Sequence, residues 1–249
     1  MNHSAIRIGI LVFPGSNCDQ DCHYAITQVL GASAEFIWHK TETLPSLDAV
    51  VIPGGFSYGD YLRTGSIARF SPVMAAVTRF AKDGGLVLGI CNGFQILLEA
   101  GLLPGVMLRN HSLSFICKDV HVRVDNTATP FTGRLKADQM LRLPIAHAEG
   151  NYYTDQRTLA SLNAQHQVVF RYCTPDGRSI PDANPNGSLN SIAGLSNSRG
   201  NVLGMMPHPE RSAEVILGNA VGRLIFLSML DSLQTARLSM KAAVQPELQ

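Results

Sequence analysis

The sequence predicts an α/β domain with a mainly parallel sheet and helices on both faces. Three observations support this fold class. Short apolar runs alternate with helix-patterned segments, the runs end at glycine- or proline-containing turns, and 249 residues at 45% hydrophobic content suffice for one sizeable core. Repeating strand-helix units imply parallel strands that are covered on both faces. Active sites in such sheets lie beyond the carboxyl ends of the strands, so the residues that follow the apolar runs are the first candidates.

The elements follow one another regularly along the first hundred residues. Continuous apolar runs predict strands, while Gly31 and the pair Gly84-Gly85 end helices and Pro72 lies near the start of one. The predicted strands are 6–13, 35–38, 49–52 and 86–90, and the predicted helices are 19–30, 72–82 and a segment that follows residue 91.

The second half of the chain predicts a small antiparallel extension. Segments 115–124, 168–172 and 191–195 have the pattern of shorter strands between turns, and we expect this extension to carry His208. A closing helix is predicted over 214–233. Because no linker or repeat divides the chain, we expect a single domain over residues 4–234, followed by a loose tail over 235–249.

Composition and charge argue against several classes of function. A formal net charge of +1 gives no basic footprint, so neither nucleic acid nor an anionic membrane is expected as a partner. No apolar stretch reaches the roughly 20 residues that span a bilayer, and the first residues lead into a strand without a charged leader. Five irregularly spaced cysteines predict reduced thiols rather than a disulfide framework. We therefore expect a cytoplasmic protein.

Cys91 occupies the joint between the predicted strand 86–90 and the helix that follows it. The surrounding Gly-Ile-Cys-Asn-Gly predicts a nucleophile elbow, because Gly89 and Gly93 let strand and helix approach closely around a strained turn. The free N–H groups and positive end of the helix favour a thiolate and stabilise an oxyanion. On this motif alone, a buried structural cysteine is an equal alternative.

His208 lies far downstream between two prolines, and Glu210 follows the second of them, in the sequence Met-Pro-His-Pro-Glu. The prolines exclude a helix and predict an extended segment, in which residues two apart face the same side. The Glu210 carboxylate then orients one imidazole nitrogen while the other meets the thiol of Cys91. Taken alone the segment is a surface turn, but with the cysteine elbow it predicts a catalytic triad.

A third candidate follows the strand 49–52, where Pro53 is followed by Gly54 and Gly55. A glycine there lets the main chain approach a substrate carbonyl, so Gly54 is a candidate substrate-binding residue. The N–H of Gly55, joined by that of Asn92, would form an oxyanion hole. An ordinary turn is the alternative reading of this segment.

No cofactor motif accompanies these residues. The chain has no phosphate-binding Gly-rich loop, dinucleotide fingerprint or metal-ligand cluster, so we expect no metal and no cofactor in it. Cys18, Cys22 and His23 have helical spacing, but too few ligands make a convincing zinc site, and helix packing is the preferred interpretation.

Three motifs in this order, Pro-Gly-Gly, Gly-x-Cys-x-Gly-x-Gln and a late His-x-Glu, give the chain its family resemblance. The chain resembles the class I, triad-type glutamine amidotransferases over nearly its whole length, which implies a flavodoxin-like domain. Within that family it is most similar to the glutaminase subunits of phosphoribosylformylglycinamidine synthases in purine biosynthesis. The segments that carry this narrower resemblance are 13–19, 54–63, 89–95, 184–188 and 204–211. In addition, Met206-Pro207 stands before His208, where other branches of the family usually have an aromatic residue.

The resemblance implies hydrolysis of L-glutamine to glutamate and ammonia by Cys91, His208 and Glu210. It also implies that Gln95 contacts the substrate and that His147 and Glu149 lie beside it, although a structural loop pair is an equal alternative for these two. Around them, Ala148 and Asn151 depart from the glycine and the basic residue of the family pattern.

The partners are likewise implied by the resemblance. They are a large synthase subunit, which uses ATP and magnesium to aminate formylglycinamide ribonucleotide, and a small bridging subunit. Segment 56–63 has a composition suited to a loop that closes over the site or touches a partner, which would make Tyr58 and Arg63 partner-facing.

Three alternatives remain from the sequence. The chain could be the glutaminase subunit of another amidotransferase, a DJ-1-like cysteine-elbow stress protein or hydrolase, or a binding module with an inactive triad. The late His-x-Glu and the position of Gln95 argue against the second alternative, and the presence of all three triad residues argues against the third.

Overall fold

The computed structural model describes residues 3–244, which form eleven strands and five helices. The strands are β1 (Arg7–Val12), β2 (Ser33–Trp38), β3 (Ala49–Ile52), β4 (Leu86–Ile90), β5 (Val106–Leu108), β6 (Ile116–Val124), β7 (Met140–His147), β8 (Asn151–Tyr153), β9 (Val168–Cys173), β10 (Ile192–Ser196) and β11 (Val202–Met205). The helices are α1 (Asp19–Tyr24), α2 (Pro72–Lys82), α3 (Asn92–Glu99), α4 (Gln156–Ala164) and α5 (Arg223–Val244).

Nine strands form one mixed sheet in the order β2-β1-β3-β4-β11-β10-β9-β6-β7. The first five are parallel and follow the flavodoxin-like order, whereas the remaining four run antiparallel to their neighbours. The chain moves from β1 to β2 in one direction and from β3 to β4 in the other, so right-handed crossovers put α1 and α2 on opposite faces. The predicted fold class is confirmed, and a second small sheet pairs β5 with β8.

The position of β11 corrects one prediction. His208 was expected on the antiparallel extension, but β11, which precedes it, lies at the junction of the two halves. This strand pairs in parallel with β4, with Met205 opposite Ile90, and antiparallel with β10. Because parallel neighbours end at the same edge of a sheet, the residues after β11 lie beside the residues after β4.

The helices near the two ends of the chain also differ from the prediction. The predicted helix 19–30 is α1 followed by a π-helical turn, Ala25–Val29. The predicted closing helix 214–233 is a short 3₁₀ turn, Val215–Leu217, interrupted at Gly218 with φ of 102° and followed by α5. That helix extends to residue 244, into the stretch predicted as a loose tail, and residues 245–249 lie outside the described part of the chain.

The core follows the centre of the sheet. Every residue of β3 and β4 is buried, as expected for parallel strands covered on both faces. Within residues 3–244, no helix has the length and apolar character needed to cross a membrane.

Candidate active site

Cys91 lies between β4 and α3 with φ of 50° and ψ of −106°, a conformation that only a strained turn imposes on a non-glycine residue. Glycines on both sides make this turn possible. A Cβ on Gly93 would lie 1.9 Å from the Ile52 carbonyl oxygen, and one on Gly89 would lie 2.5 Å from Leu97 Cδ1. The predicted elbow is therefore present, and its backbone N–H is fixed by a 2.8 Å bond to the Met205 carbonyl of β11.

His208 reaches the site from the end of β11. Its N–H donates to the carbonyl of Pro144 on β7 at 2.9 Å, which ties this segment to the antiparallel half of the molecule. Glu210 lies in a 3₁₀ turn, Pro209–Ser212, and not in the extended segment that the two prolines predicted. Its carboxylate nevertheless lies 2.6 Å from His208 Nδ1, and both side chains are buried.

The electrostatics of His208 depend on that carboxylate. Burial lowers the pKa of the imidazole, but the negative charge of Glu210 and the thiols of Cys91 and Cys18 outweigh burial and raise the pKa well above its ordinary value. Its second nitrogen, Nε2, is buried and has no hydrogen-bond partner among the described residues. Cys91 Sγ lies 3.6 Å from the Ala146 carbonyl oxygen, to which the thiol donates. In this structure, the nucleophile and the base are adjacent but are not yet joined by a hydrogen bond, which is common before substrate binds.

Gly54 and Gly55 follow β3 and face the same edge of the sheet. A Cβ on Gly54 would lie 2.7 Å from His208 Cε1, 3.1 Å from Cys18 Sγ and 3.4 Å from Cys91 Cβ, so the glycine makes room for three functional side chains. Gly55 has φ of 148° and bridges to Ser16. Asn92 is the first residue of α3, so its backbone N–H has no acceptor within the helix.

Two of the other predicted substrate-binding residues, Gln95 and Glu149, form a chain of hydrogen bonds with Asn92 beside the elbow. Asn92 Nδ2 donates to Gln95 Oε1 at 2.9 Å, and Gln95 Nε2 donates to the Glu149 carbonyl at 2.5 Å. The Glu149 carboxylate accepts from the hydroxyl of Thr64 at 2.7 Å, and Asn92 Oδ1 accepts from the N–H of Ser57 at 3.2 Å. This chain links the elbow helix to the two loops that flank it.

His147 lies at the end of β7, near enough to His208 for the charge of one to affect the other. Burial, followed by the neighbouring His208, lowers the pKa of His147 to about 4, so the ring is neutral near pH 7. Its Nδ1 lies 3.0 Å from Asn110 Oδ1, and its Nε2 lies 3.5 Å from Asn186 Nδ2. Since the first partner only accepts and the second only donates, Nδ1 carries the proton.

Segment 56–63, predicted as a loop that closes over the site or touches a partner, is exposed at Tyr61 (74%) and Leu62 (93%). The hydroxyl of Tyr58 points inward, 2.7 Å from His39 Nδ1 and 2.8 Å from Ser71 Oγ, so this polar group is bonded within the chain. Arg63 is half exposed and pairs with both carboxylate oxygens of Glu99 at 2.7 and 2.8 Å.

Sequence reasoning missed two residues of the site, Cys18 and Arg211. The ligand atoms of Cys18, His208 and Glu210 lie within 4.8 Å of one another, and Arg211 Nη2 lies 3.0 Å from Cys18 Sγ. Cys18 follows β1, and the order of the sheet reverses between β1 and β3, where ligands bind in flavodoxin-like folds. That rule, applied to the predicted strands, would have found it. A cavity of about 190 Å³ opens here, lined by Asn17, Cys18, Gly55, Phe56, Phe115, Ala146, His208 and Arg211.

Comparisons with known proteins agree with this arrangement. Residues 5–224 match the family model of the CobB/CobQ-like glutamine amidotransferase domain. The PurQ subunit of phosphoribosylformylglycinamidine synthase from Moorella thermoacetica is 60% identical over 91% of this chain and 96% of its own length. The PurQ subunit from Salinibacter ruber is 57% identical over 90% and 96%, respectively. Among solved structures, PurLQS from Thermotoga maritima matches with a TM-score of 0.82 and 39% identity, covering 92% of this chain and 99% of the matched chain. The chain therefore belongs to the CobB/CobQ-like glutamine amidotransferases and, within them, to the family of PurQ subunits of phosphoribosylformylglycinamidine synthase.

Proposed function

We propose that this chain is the glutaminase subunit of a phosphoribosylformylglycinamidine synthase and hydrolyses L-glutamine to glutamate and ammonia. One observation carries the proposal: a strained cysteine at the start of α3 lies beside a buried histidine whose other nitrogen is held by a carboxylate. That is the order of nucleophile, base and orienting group that acyl transfer needs.

The reaction begins with His208 in the imidazolium form that its raised pKa favours, the Cys91 proton having moved to Nε2. The thiolate attacks the side-chain amide carbon of glutamine, and the oxyanion that forms is stabilised by the N–H groups of Gly55 and Asn92. The imidazolium then protonates the leaving nitrogen, so ammonia departs and a γ-glutamyl thioester remains on Cys91. Water attacks the thioester while His208 accepts its proton, and glutamate leaves as the sulfur is released.

The environment of His208 suits both of its roles. The buried Glu210 carboxylate stabilises the imidazolium that forms when Cys91 ionises, and the same carboxylate fixes a proton on Nδ1 of the neutral ring, so that Nε2 faces the thiol. Removal of this negative charge would leave a buried cation without a counterion, which is costly.

We assign the positioning of glutamine to the hydrogen-bond chain beside the elbow. Gln95 lies one helical turn beyond Cys91, and Glu149 accepts from Thr64 across the site. We assign the same role to Gly54, whose Cβ position lies 3.4 Å from Cys91 Cβ, and to the neutral His147.

The ammonia passes to a large synthase subunit that aminates formylglycinamide ribonucleotide, and a small subunit bridges the two. ATP and magnesium are used by that large subunit, and this chain itself needs no cofactor. The relatives named as PurQ and the PurLQS assembly support these partners. Five free cysteines, one of which is the nucleophile, favour a reducing compartment, so we infer that the protein works in the cytoplasm.

The test is glutamate release by the purified chain, alone and with its synthase partners. We expect the partners to increase release by the wild-type chain, because Cys91 Sγ and His208 Nε2 are not yet hydrogen-bonded here. Cys91→Ala should abolish release while added ammonia still supports the synthase.

The same assay separates the alternatives. A glutaminase for another synthase would supply nitrogen to a different acceptor, which product analysis identifies. If no preparation releases glutamate, the proposal is wrong, and a cysteine-elbow protein of another activity takes its place.

A further inference from the structure

Two arginines face each other on the antiparallel half of the sheet, outside the candidate active site. Arg123 of β6 and Arg171 of β9 are directly paired in register, so their side chains leave the sheet on the same face. Like charges in directly opposite positions repel, but here the Asp125 carboxylate lies between them, 2.8 Å from Arg123 Nε and 2.5 Å from Arg171 Nε. The fold therefore holds two guanidinium groups around one carboxylate.

The cavity beside Arg123 and Arg171, which we call the arginine cleft, has a volume of about 620 Å³. Within residues 3–244, its lining adds three asparagines, three serines, one isoleucine and one proline to the two arginines and includes no acidic residue. Asp125 and Asp138 instead line a separate cavity of about 160 Å³, which the same two arginines border. The acidic groups are therefore kept out of the arginine cleft.

Hydrogen-bond donors remain available at the arginine cleft. Arg123 Nε and Nη1 donate to Asp125 and to the Gly177 carbonyl, but Arg123 Nη2 donates to none of the residues that the structure describes. Arg171 Nη2 donates to Asn163 Oδ1 at 2.7 Å, which fixes the Asn163 amide. The Nδ2 of this amide has no acceptor in the described part of the chain, so a guanidinium and an amide both have donors to spare.

One wall of the arginine cleft is built by residues 184–191, and hydrogen bonds hold it in place. Asn184 Nδ2 donates to the Ser188 carbonyl at 2.7 Å. Arg171 Nη1 donates to the Asn190 carbonyl, also at 2.7 Å, and so ties an arginine of the sheet to this wall. The polar groups of the cleft are therefore positioned before any ligand arrives, which lowers the entropy cost of binding.

We propose that the arginine cleft is a binding site for a phosphate dianion, carried as free phosphate or as the monoester of a small molecule. Planar guanidinium groups bind phosphate oxygens through paired N–H donors, and the Asn163 amide adds a neutral donor. The two guanidinium groups outnumber Asp125, and Asp138 has an 83% exposed side chain, so solvent screens its charge. Small-molecule pockets enclose about 300–1,000 Å³, so the cleft has room for an esterified group beside the phosphate.

The first measurement is calorimetric titration of wild type, Arg123→Gln and Arg142→Gln with ribose 5-phosphate, inorganic phosphate and ribose. Arg142 is a matched control because it lies on β7, the strand next to β6, and pairs with Asp119 without bordering the cleft. We expect one phosphate ligand per wild-type and Arg142→Gln chain. Binding by Arg123→Gln should be weaker by about tenfold or more, because charge-assisted hydrogen bonds are lost.

The three ligands separate the possible sources of the phosphate. Ribose should not bind. Tighter binding of ribose 5-phosphate than of inorganic phosphate identifies an ester as the ligand, whereas equal affinities identify the free ion, and either result supports the proposal.

A second measurement does not depend on the folding of a variant. Ribose 5-phosphate should protect Arg123 of the wild-type chain from phenylglyoxal, as read by peptide mass spectrometry, and should leave the reactivity of Arg142 unchanged. Equal affinity of wild type and Arg123→Gln, ribose binding as tight as that of ribose 5-phosphate, no phosphate binding by wild type, or equal protection of both arginines would overturn the proposal. Neither measurement uses glutamine, so its outcome is independent of the proposed glutaminase activity.

Discussion

Two buried histidines at one edge of the sheet have opposite electrostatic character. His208 is 1% exposed and His147 is 3% exposed, so burial does not distinguish them. His208 Nδ1 contacts the Glu210 carboxylate, whereas His147 is held between the side-chain amides of Asn110 and Asn186. The pKa of His208 is raised well above its ordinary value, while burial lowers the pKa of His147 to about 4.

The difference teaches that the partner, and not the depth of burial, decides whether a buried imidazole holds a proton. Amides satisfy a neutral ring but provide no counterion, so desolvation prevails. Both rings have a glycine against Cε1: the Cβ position of Gly54 lies 2.7 Å from that atom in His208, and the Cβ position of Gly150 lies 2.1 Å from it in His147. The two sites therefore share their steric design and differ in charge.

The largest effect is expected from Glu210→Gln, which gives His208 an amide partner like those of His147. The rate of glutamine hydrolysis should fall by about 10³-fold, or about 4 kcal/mol of transition-state stabilisation, because the imidazolium loses its counterion. The pKa of His208, followed by NMR, should fall below its ordinary value. Glu35→Gln, which removes an exposed ion pair with Arg7, is the control. A rate within tenfold of wild type would show that the carboxylate is not what distinguishes the two histidines.

The next largest effect is expected on the free energy of unfolding and comes from the titration of His147. The pKa of His147 is about 4 in the folded chain, against an ordinary value of 6.5. Between pH 4 and pH 6.5, His147 therefore binds a proton in the unfolded chain but not in the folded chain. Stability should therefore fall as the pH drops from 6.5 to 4, by about 3 kcal/mol from this residue. Asp60, whose pKa is raised to about 6 by burial and by Glu149, acts in the opposite direction.

For this reason the comparison is between wild type and His147→Gln, with urea unfolding measured at several pH values. The difference in unfolding free energy between the two should shrink as the pH falls. A difference that does not change with pH would mean that His147 titrates normally despite its burial.

A smaller effect is expected from Gly54→Ala, which tests the space beside His208. The new methyl group would displace the His208 imidazole and the Cys18 sulfur that contact it. Misplacement of reacting groups by about 1 Å costs about 100-fold in rate, or about 2.7 kcal/mol. Gly133→Ala is the control, because a Cβ there meets nothing within 4 Å. If both variants hydrolyse glutamine equally, the close packing of Gly54 has no catalytic consequence.

The smallest effect is expected from Gly150→Ala, which makes the same steric change beside His147. We expect the free energy of unfolding to fall by about 2 kcal/mol, as overpacking of a close contact does, because the ring must leave its bond to Asn110. The rate per folded molecule should change less than in Gly54→Ala. The reverse ranking of the two rates would place His147 nearer to the chemistry than His208.

Much of this site could be predicted from local patterns. The bounds of α2 and β4 agree with the prediction because a proline, a glycine pair and a continuous apolar run mark them in the sequence. The elbow at Cys91 could be predicted because glycines flank it at positions 89 and 93. The close contacts at these two positions leave no room for a Cβ, so the sequence must have glycine there. The family model and the PurQ relatives agree with the family that these motifs indicated.

The errors arose where contacts are distant in sequence. The sequence contains no local sign that β11 pairs with β4, which sets His208 beside Cys91. Nothing near Tyr58 predicts that its hydroxyl turns inward to His39. Likewise Cys18 was interpreted from its helical neighbours, whereas its hydrogen bond to Arg211 crosses 193 positions of the chain.

The sequence by itself determined the chemical groups and the strained turn that presents one of them, because backbone sterics act over a few residues. The tertiary structure alone decided which further groups join them: Cys18 near His208, and the side-chain amides of Asn110 and Asn186 against His147. The charge of a buried group depends on desolvation and on partners within a few ångströms, and strand pairing between distant segments sets both.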